Sequence, residues 1–331
     1  MTQLFAQLAD LFFDAGHVLP GLCFVWAYNR GIATFRQPVL IYNPVAGKIR
    51  RNPEAILQRT KAALGRARLV PQLLPTSAPG QAGSLARQAI VDGADLILVL
   101  GGDGTINEAL QGVANTGVPM GVLPGGTANC LAMELGLGSN VERAAERLAT
   151  CNVVPISLGQ VTTERAGSRF FLLMCGAGLD AAIVKEVHAG LKARTGKLAY
   201  WVAGLAQFRR SVRPMLVALD GERHACGFAL VSRGRNYGGD MEIASGASLR
   251  RDDFEVVLFQ GSHPLRYAFY MLGVGAKRVQ RLPGVRTSYA TSVEILSASP
   301  SQIDGEFLGS EPLKITIVPG ALTLLMPVAY G

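Results

Sequence analysis

Apolar residues recur along this chain in two rhythms, and the change from one to the other falls near residue 153. Before it, short unbroken apolar runs alternate with stretches of helical period. The runs are residues 38–42, 69–74, 96–100 and 120–123. A run without polar alternation is what a strand buried on both faces of a parallel sheet requires. Between the runs, residues 53–65 read as an Arg-rich helix. Ala82, Leu85, Ala86, Ala89 and Ile90 line one face of another. A third helix runs from about Ile106 to Ala114, and two more cover about 130–135 and 141–150. Strands and helices in alternation predict a doubly wound α/β domain over residues 37–152.

From residue 153 to 331 the runs are shorter and separated by turn signals such as Asp220-Gly221 and Asp304-Gly305. Strands are predicted at 153–161, 169–175, 215–219, 226–232, 254–259, 292–296, 314–318 and 321–326. The pattern is that of a mostly antiparallel β domain, with helical insertions at 181–210 and 265–281. Residues 1–36 form a third region, an apolar extension broken by Asp14, His17, Pro20 and Gly21, so no span of about 20 apolar residues exists. No basic stretch precedes it, which disfavours a signal peptide. It reads as an interfacial membrane segment edged by Trp26 and Tyr28, as a helix packed on the body, or as an extension upstream of the true start.

Composition narrows the partners. Hydrophobic residues make up 49% of 331 and charged ones 17%, enough for a large core. The net charge of +8 suits anionic partners: a nucleotide, an anionic membrane surface or nucleic acid. Aromatic content is 7% and no run interleaves aromatics with Lys or Arg, so nucleic acid is disfavoured. Five scattered Cys without a CxxC pair point to a reduced, cytoplasmic compartment and away from a disulfide framework or zinc site.

The chemistry concentrates where the strand at 96–100 runs into Gly101-Gly102-Asp103-Gly104-Thr105, followed by Ile106-Asn107-Glu108. Glycines allow a tight turn and close backbone approach. With Thr105 as N-cap, the next helix would present unpaired N–H groups to a phosphate. Asp103 would repel a bare phosphate. It has a purpose there if it organises a metal on the phosphates or takes a proton from an attacking hydroxyl. Four polar loops, at 43–48, 76–80, 101–105 and 125–129, fall at strand ends on one edge, where a ligand crevice is expected. A competing motif, Gly176-Ala177-Gly178-Leu179-Asp180-Ala181, has the form of a dinucleotide fingerprint. A basic helical stretch follows it instead of a second strand and an acidic residue, so a nicotinamide enzyme is disfavoured.

Asn43-Pro44 with Gly47, GGDGTINE at 101–108, PGGTAN at 124–129, GAGLDA at 176–181, Tyr237-Gly238-Gly239 and Asp304-Gly305-Glu306 occur in one order. Together they resemble the diacylglycerol kinase catalytic-domain family of lipid kinases, which includes bacterial diacylglycerol and phosphatidylglycerol kinases, sphingosine kinases and ceramide kinases. The resemblance implies an NAD kinase/diacylglycerol kinase-like fold: an α/β nucleotide domain followed by a β-sandwich that completes the site. It implies ATP with Mg²⁺ in the cleft and transfer of the γ-phosphoryl group to a lipid hydroxyl. By motif position Gly101, Gly102, Asp103, Gly104, Thr105, Ile106 and Asn107 would cradle the phosphates, with Gly126, Thr127 and Asn129 beside them. Asn43 and Thr76 would contact the nucleotide. Glu306 takes the place of the general base, Asp103 that of a second essential carboxylate, and Asp180 lies near where sphingosine kinases contact the lipid head group.

Three departures from the family pattern stand out. Cys130 replaces an Asp after the T-x-N element, and Asp240 replaces a third glycine. In the segment where bacterial members hold a structural Mg²⁺, Arg251 takes an Asp position, leaving Asp252 or Asp253 as candidate ligands. The expected partners are a lipid substrate and a membrane surface, with peripheral attachment; the basic segment 185–213, with Trp201 and Phe208, would dock head groups or form a solvated helix face. A homodimer stays open. The alternatives are a kinase of a soluble acceptor such as NAD, and an inactive lipid-binding protein.

Overall fold

The computed structural model describes residues 34–165, 167–179, 181, 213–238 and 241–330. Residues 1–33, 166, 180, 182–212, 239–240 and 331 lie outside the described residues; they include nearly all of the helical insertion expected at 181–210, together with Asp180 and Asp240.

Four apolar runs form one edge of a large sheet, as β1 (Pro38–Tyr42), β2 (Gln72–Pro75), β3 (Leu96–Gly101) and β4 (Pro119–Pro124). They lie parallel in the order β2-β1-β3-β4. Every residue of β3 and β4 is buried. Each large side chain so enclosed contributes about 1.5–3 kcal/mol. The second strand begins later than expected: Arg68 takes a left-handed turn, Leu69 packs into the core ahead of the strand, and Val70 is exposed. Helices α1 (Pro53–Arg66), α2 (Gln81–Val91), α3 (Asp103–Val113), α4 (Cys130–Glu134) and α5 (Val141–Arg147) complete this half. Gly83 and Gly112 let α2 and α3 touch backbone to backbone, since a Cβ on Gly112 would stand 2.2 Å from the Gly83 carbonyl oxygen.

The two expected domains share this sheet. After β5 (Cys151–Thr163) come β6 (Gly167–Phe171), β7 (Met174–Gly178), β8 (Met215–Leu219), β9 (Glu222–Cys226), β10 (Phe228–Ser232) and the small hairpin β11 (Asn236–Tyr237) and β12 (Met241–Glu242). Then follow β13 (Phe254–Phe259), helix α6 (Pro264–Gly275), β14 (Val285–Ala290), β15 (Ser292–Ile295), β16 (Ser301–Ile303), β17 (Glu306–Gly309) and β18 (Leu313–Pro327). The last is one long strand where two were expected. A bulge between Val318 and Leu322, with Gly320 left-handed, bends it without ending it. Its first part pairs with β15, and its second part returns to lie parallel to β4 at Thr323 and Leu324.

A six-stranded antiparallel sheet, β14-β13-β10-β7-β16-β17, closes the sandwich. Its core includes Phe171, Val217, Phe254 and Ile315. Phe171 lies over Gly159 of the neighbouring strand, where a Cβ would stand 2.1 Å from its ring, and stacks on Phe254 at 5.9 Å. Among the described residues no helix is long and apolar enough to cross a membrane.

Candidate active site

Because β1 to β4 are parallel, the loops that follow them meet at one edge. Asn43, after β1, accepts the N–H of Val45 at 3.0 Å and donates through Nδ2 to Thr105 Oγ1 at 3.3 Å. Thr76, after β2, is buried and donates its N–H to the Tyr42 carbonyl. The glycine loops after β3 and β4 touch: a Cβ on Gly126 would stand 2.5 Å from Gly102 Cα. Asn129, left-handed at φ +53°, closes the second loop by accepting from Gly126 N–H at 2.7 Å and donating to its carbonyl at 3.0 Å. Thr127 stays exposed at the rim.

The helix after β3 starts earlier than expected. Gly102 is the extended N-cap, Asp103 is the first helical residue, and no side chain caps the end. Thr105 therefore lies in the first turn, buried under Asn43. The Ile106 N–H is spent on the Gly102 carbonyl and its side chain is in the core, so it holds the turn from behind.

Asp103 is not free in the cleft. Its carboxylate accepts the backbone N–H of Asn129 at 3.0 Å and of Cys130 at 2.6 Å, which caps α4. At position 130 the backbone N–H does this work, whatever the side chain. Burial pushes the Asp103 carboxyl above its ordinary range; the Cys130 N–H pulls it down, and the charge of Asp304 pushes it up again.

Asp304 turns the chain between β16 and β17 at φ +46°, with Gly305 at +82°. Its carboxylate accepts four N–H groups: Asn107 Nδ2 at 2.9 Å, and the backbone of Leu172 at 2.8 Å, Leu173 at 2.9 Å and Met174 at 3.0 Å. These three amides explain why the expected strand 169–175 splits. The chain leaves β6 in one sheet and enters β7 in the other, and Asp304 satisfies the amides released at the crossing. Burial raises the Asp304 carboxyl, with the same N–H groups pulling against it.

Two residues not singled out in the sequence complete the junction. Arg169 donates from Nη2 to Asn107 Oδ1 at 2.7 Å and to Glu306 Oε2 at 2.5 Å. Gln111 exchanges two bonds with the Phe170 backbone, at 2.9 and 3.1 Å. Arg169 gave no signal beyond one cation in a short strand. Gln111 stands one helical turn after Asn107, the sole hint available. The Glu306 side chain keeps 47% of its surface exposed beside this buried cluster.

Among the described residues no group of three or more His, Cys, Asp or Glu could cage a metal. A Mg²⁺ carried on nucleotide phosphates needs only one or two carboxylates, and Asp103 fits that demand: it stands at the start of α3, and its two oxygens, each accepting a backbone N–H, keep lone pairs for a cation. The second candidate metal position does not fit. Ser157 donates to Asp252, and Arg251 grips Asp253 bidentately at 2.7 and 2.5 Å. The fully buried guanidinium of Arg233 donates to the carbonyls of Leu249 and Arg251, so the loop already holds a fixed cation. In the dinucleotide-like motif, Gly176 lies within β7 between Leu230 and Gln302, Gly178 ends the strand opposite Phe228, and the chain turns helical at Leu179.

Comparison with known proteins finds matches to both halves of the chain. Residues 37–161 match the model of the diacylglycerol kinase catalytic domain, and residues 174–326 that of the YegS C-terminal NAD kinase β-sandwich-like domain. The chain is 30% identical over 260 residues to "Probable lipid kinase YegS-like" of Cronobacter sakazakii (strain ATCC BAA-894), covering 75% of this chain and 83% of that protein. It is 28% identical over 250 residues to a diacylglycerol kinase of Mycobacterium tuberculosis (strain CDC 1551 / Oshkosh), covering 73% and 80%. Two crystal structures from Bacillus anthracis str. Sterne superpose with TM-scores of 0.75 (23% identity, 92% of this chain and 99% of that one) and 0.66 (19%, 90% and 100%). The latter is of a diacylglycerol kinase, and at these identities the likeness is one of fold.

Proposed function

The chain belongs to the lipid kinase family that carries the diacylglycerol kinase catalytic domain, and on that premise we propose that it moves the γ-phosphoryl group of ATP to a lipid hydroxyl at a membrane surface. One observation carries the reading. The GGDGTINE helix and the Asp304-Gly305-Glu306 turn, distant in sequence, are bonded through Asn107 and Arg169, and Glu306 emerges beside them half exposed.

Bound Mg·ATP supplies the phosphoryl group and the metal charge that offsets its oxygens. The chain supplies position and proton handling. The uncapped first turn of α3 leaves N–H groups open to a phosphate, and the Gly125-Gly126 loop packs against the Gly101-Gly102 turn that leads into it. Asn43 and Thr105 hold one wall, and Thr76 and Thr127 stand at the sides. Asp103 fixes the two glycine loops against each other and provides the anionic edge on which a nucleotide-borne cation would rest. Glu306 accepts the proton of the attacking hydroxyl, and Arg169 holds its carboxylate in place until then. Asp304 orients the turn that carries Glu306 and does not itself meet the acceptor.

The test is γ-labelled ATP with Mg²⁺ and mixed micelles of diacylglycerol, phosphatidylglycerol, ceramide or sphingosine, with NAD as a soluble acceptor. Label in one lipid, lost in Glu306→Gln and Asp103→Asn, supports the proposal. Label in NAD alone, or in no acceptor while ATP still binds, overturns it.

A further inference from the structure

Helix α6 is apolar on two opposite sides. One side is accounted for: Tyr267, Tyr270 and Val274 are buried, and the two Tyr hydroxyls donate to the carbonyls of Gly261 and Gln260, each at 2.9 Å. The other side is not. Leu265, Phe269 and Leu272 are 73%, 48% and 74% exposed, and their spacing of four and three residues puts them on one face. Three large apolar side chains together in water need a partner.

The surrounding charge says which kind. From residue 256 to 293 the chain has no Asp or Glu and carries Arg266, Lys277, Arg278, Arg281 and Arg286. Lys277, Arg278 and Arg281 follow the helix directly and are exposed, with Glu242 as a carboxylate 3.9 Å from Lys277. An exposed apolar face with cations at its end matches an anionic bilayer, whose acyl boundary takes the one and whose head groups take the other. We propose that Leu265, Phe269 and Leu272, with Lys277, Arg278 and Arg281, dock this protein on an anionic lipid bilayer.

The position suits the lipid kinase reading, on which this inference rests. The Tyr270 ring meets Phe259 at 5.3 Å, Phe259 stacks on Phe228 at 5.0 Å, and Phe228 is in register with Gly178 at the end of β7. The docking helix is thus two aromatic rings from the strand that leads to the segment expected to meet the lipid head group.

The experiment is cosedimentation of the full chain with vesicles of phosphatidylcholine alone or mixed with phosphatidylglycerol. It compares wild type, Leu265→Ser/Phe269→Ser/Leu272→Ser and Lys277→Gln/Arg278→Gln/Arg281→Gln. Wild type is expected to bind the anionic vesicles far better than the neutral ones. The apolar variant should lose at least about tenfold in affinity, and the charge variant about fivefold per cation, an effect mimicked by high salt. Both variants should melt as wild type does and phosphorylate a short-chain, water-soluble form of the acceptor at the wild-type rate. Vesicle binding unchanged in both variants, equal binding to neutral and anionic vesicles, or loss of self-association in the apolar variant without loss of vesicle binding would each overturn the proposal. Vesicle binding that depends on these residues in a protein that labels no lipid would sink the kinase reading and leave the docking surface standing.

Discussion

Asn107 and Asp304 are 197 residues apart in the chain and 2.9 Å apart in space, the amide Nδ2 donating to the carboxylate Oδ2. The other end of the same amide, Oδ1, accepts from Arg169. The side chain is thus fixed in one orientation by a donor on one side and an acceptor on the other. Asn107→Asp would set a carboxylate against Asp304 and leave a repulsive pair in a half-buried place. We expect at least about 2 kcal/mol of lost stability, read by urea denaturation, and a kcat at least about 100-fold lower. Asn107→Ala should cost less stability than Asn107→Asp; the reverse order would mean that the amide's orientation is not what matters.

The two acidic residues of the Asp304-Gly305-Glu306 turn should separate cleanly. Asp304→Ala strands four N–H donors at the crossing between sheets and should cost at least about 3 kcal/mol, with activity lost as a consequence. Glu306→Gln removes a partly exposed ion pair, worth less than about 1 kcal/mol. It should nevertheless lower kcat by about 100- to 10,000-fold if Glu306 takes the proton. Equal stability losses in the two variants, or an active Glu306→Gln enzyme, would remove the proposed division of labour.

Asp103→Asn tests the cradle. An amide keeps one acceptor and places an NH₂ where a backbone N–H must be received, so α4 loses part of its cap at a cost of about 1–2 kcal/mol. Mg·ATP should raise the melting temperature of wild type through linkage and raise that of the variant much less. A full ligand-induced shift in Asp103→Asn would show that the carboxylate serves folding alone.

Much of this was legible before the coordinates. The unbroken run at 96–100 has one cheap solution, a strand buried on both faces, and the glycines after it leave the following helix end open. The parallel strands and the edge where their loops gather follow from that. The return of β18 to pair with β4 was not legible, because a 15-residue strand interrupted by Pro319-Gly320 looks like two strands until the bulge is seen. The break of 169–175 was hidden for a related reason. From Phe170 to Cys175 its residues are apolar throughout, and the group that ends the strand is a carboxylate more than 130 residues away. Arg169 was missed because its partners, Asn107 and Glu306, come from two different motifs, and their meeting is a property of the topology. The helix start at Asp103 was misplaced by three residues because Thr is a strong N-cap by propensity, whereas here its hydroxyl is engaged by Asn43.

Glu255 offers a test of burial by pH. It lies in β13, 2% exposed, where Gln280 Nε2 donates to Oε1 at 2.8 Å and to the Ile243 carbonyl at 2.8 Å. Burial raises its carboxyl above the reference value of 4.5, and the Gln280 amide, nearby backbone N–H groups and the charge of Arg251 do not reverse it. A carboxyl raised in the folded state contributes stability that is complete below the unfolded pKa and is lost as pH rises through the folded one. Wild type should therefore lose stability from this group on going from pH 4 to pH 8. Glu255→Gln keeps the bond from Gln280 and carries no titrating proton, so it escapes that loss. The melting temperature of Glu255→Gln minus that of wild type should grow more positive with rising pH. A difference that stays flat or falls across the same range would mean that the ionised carboxylate is as well solvated in the fold as in the unfolded chain.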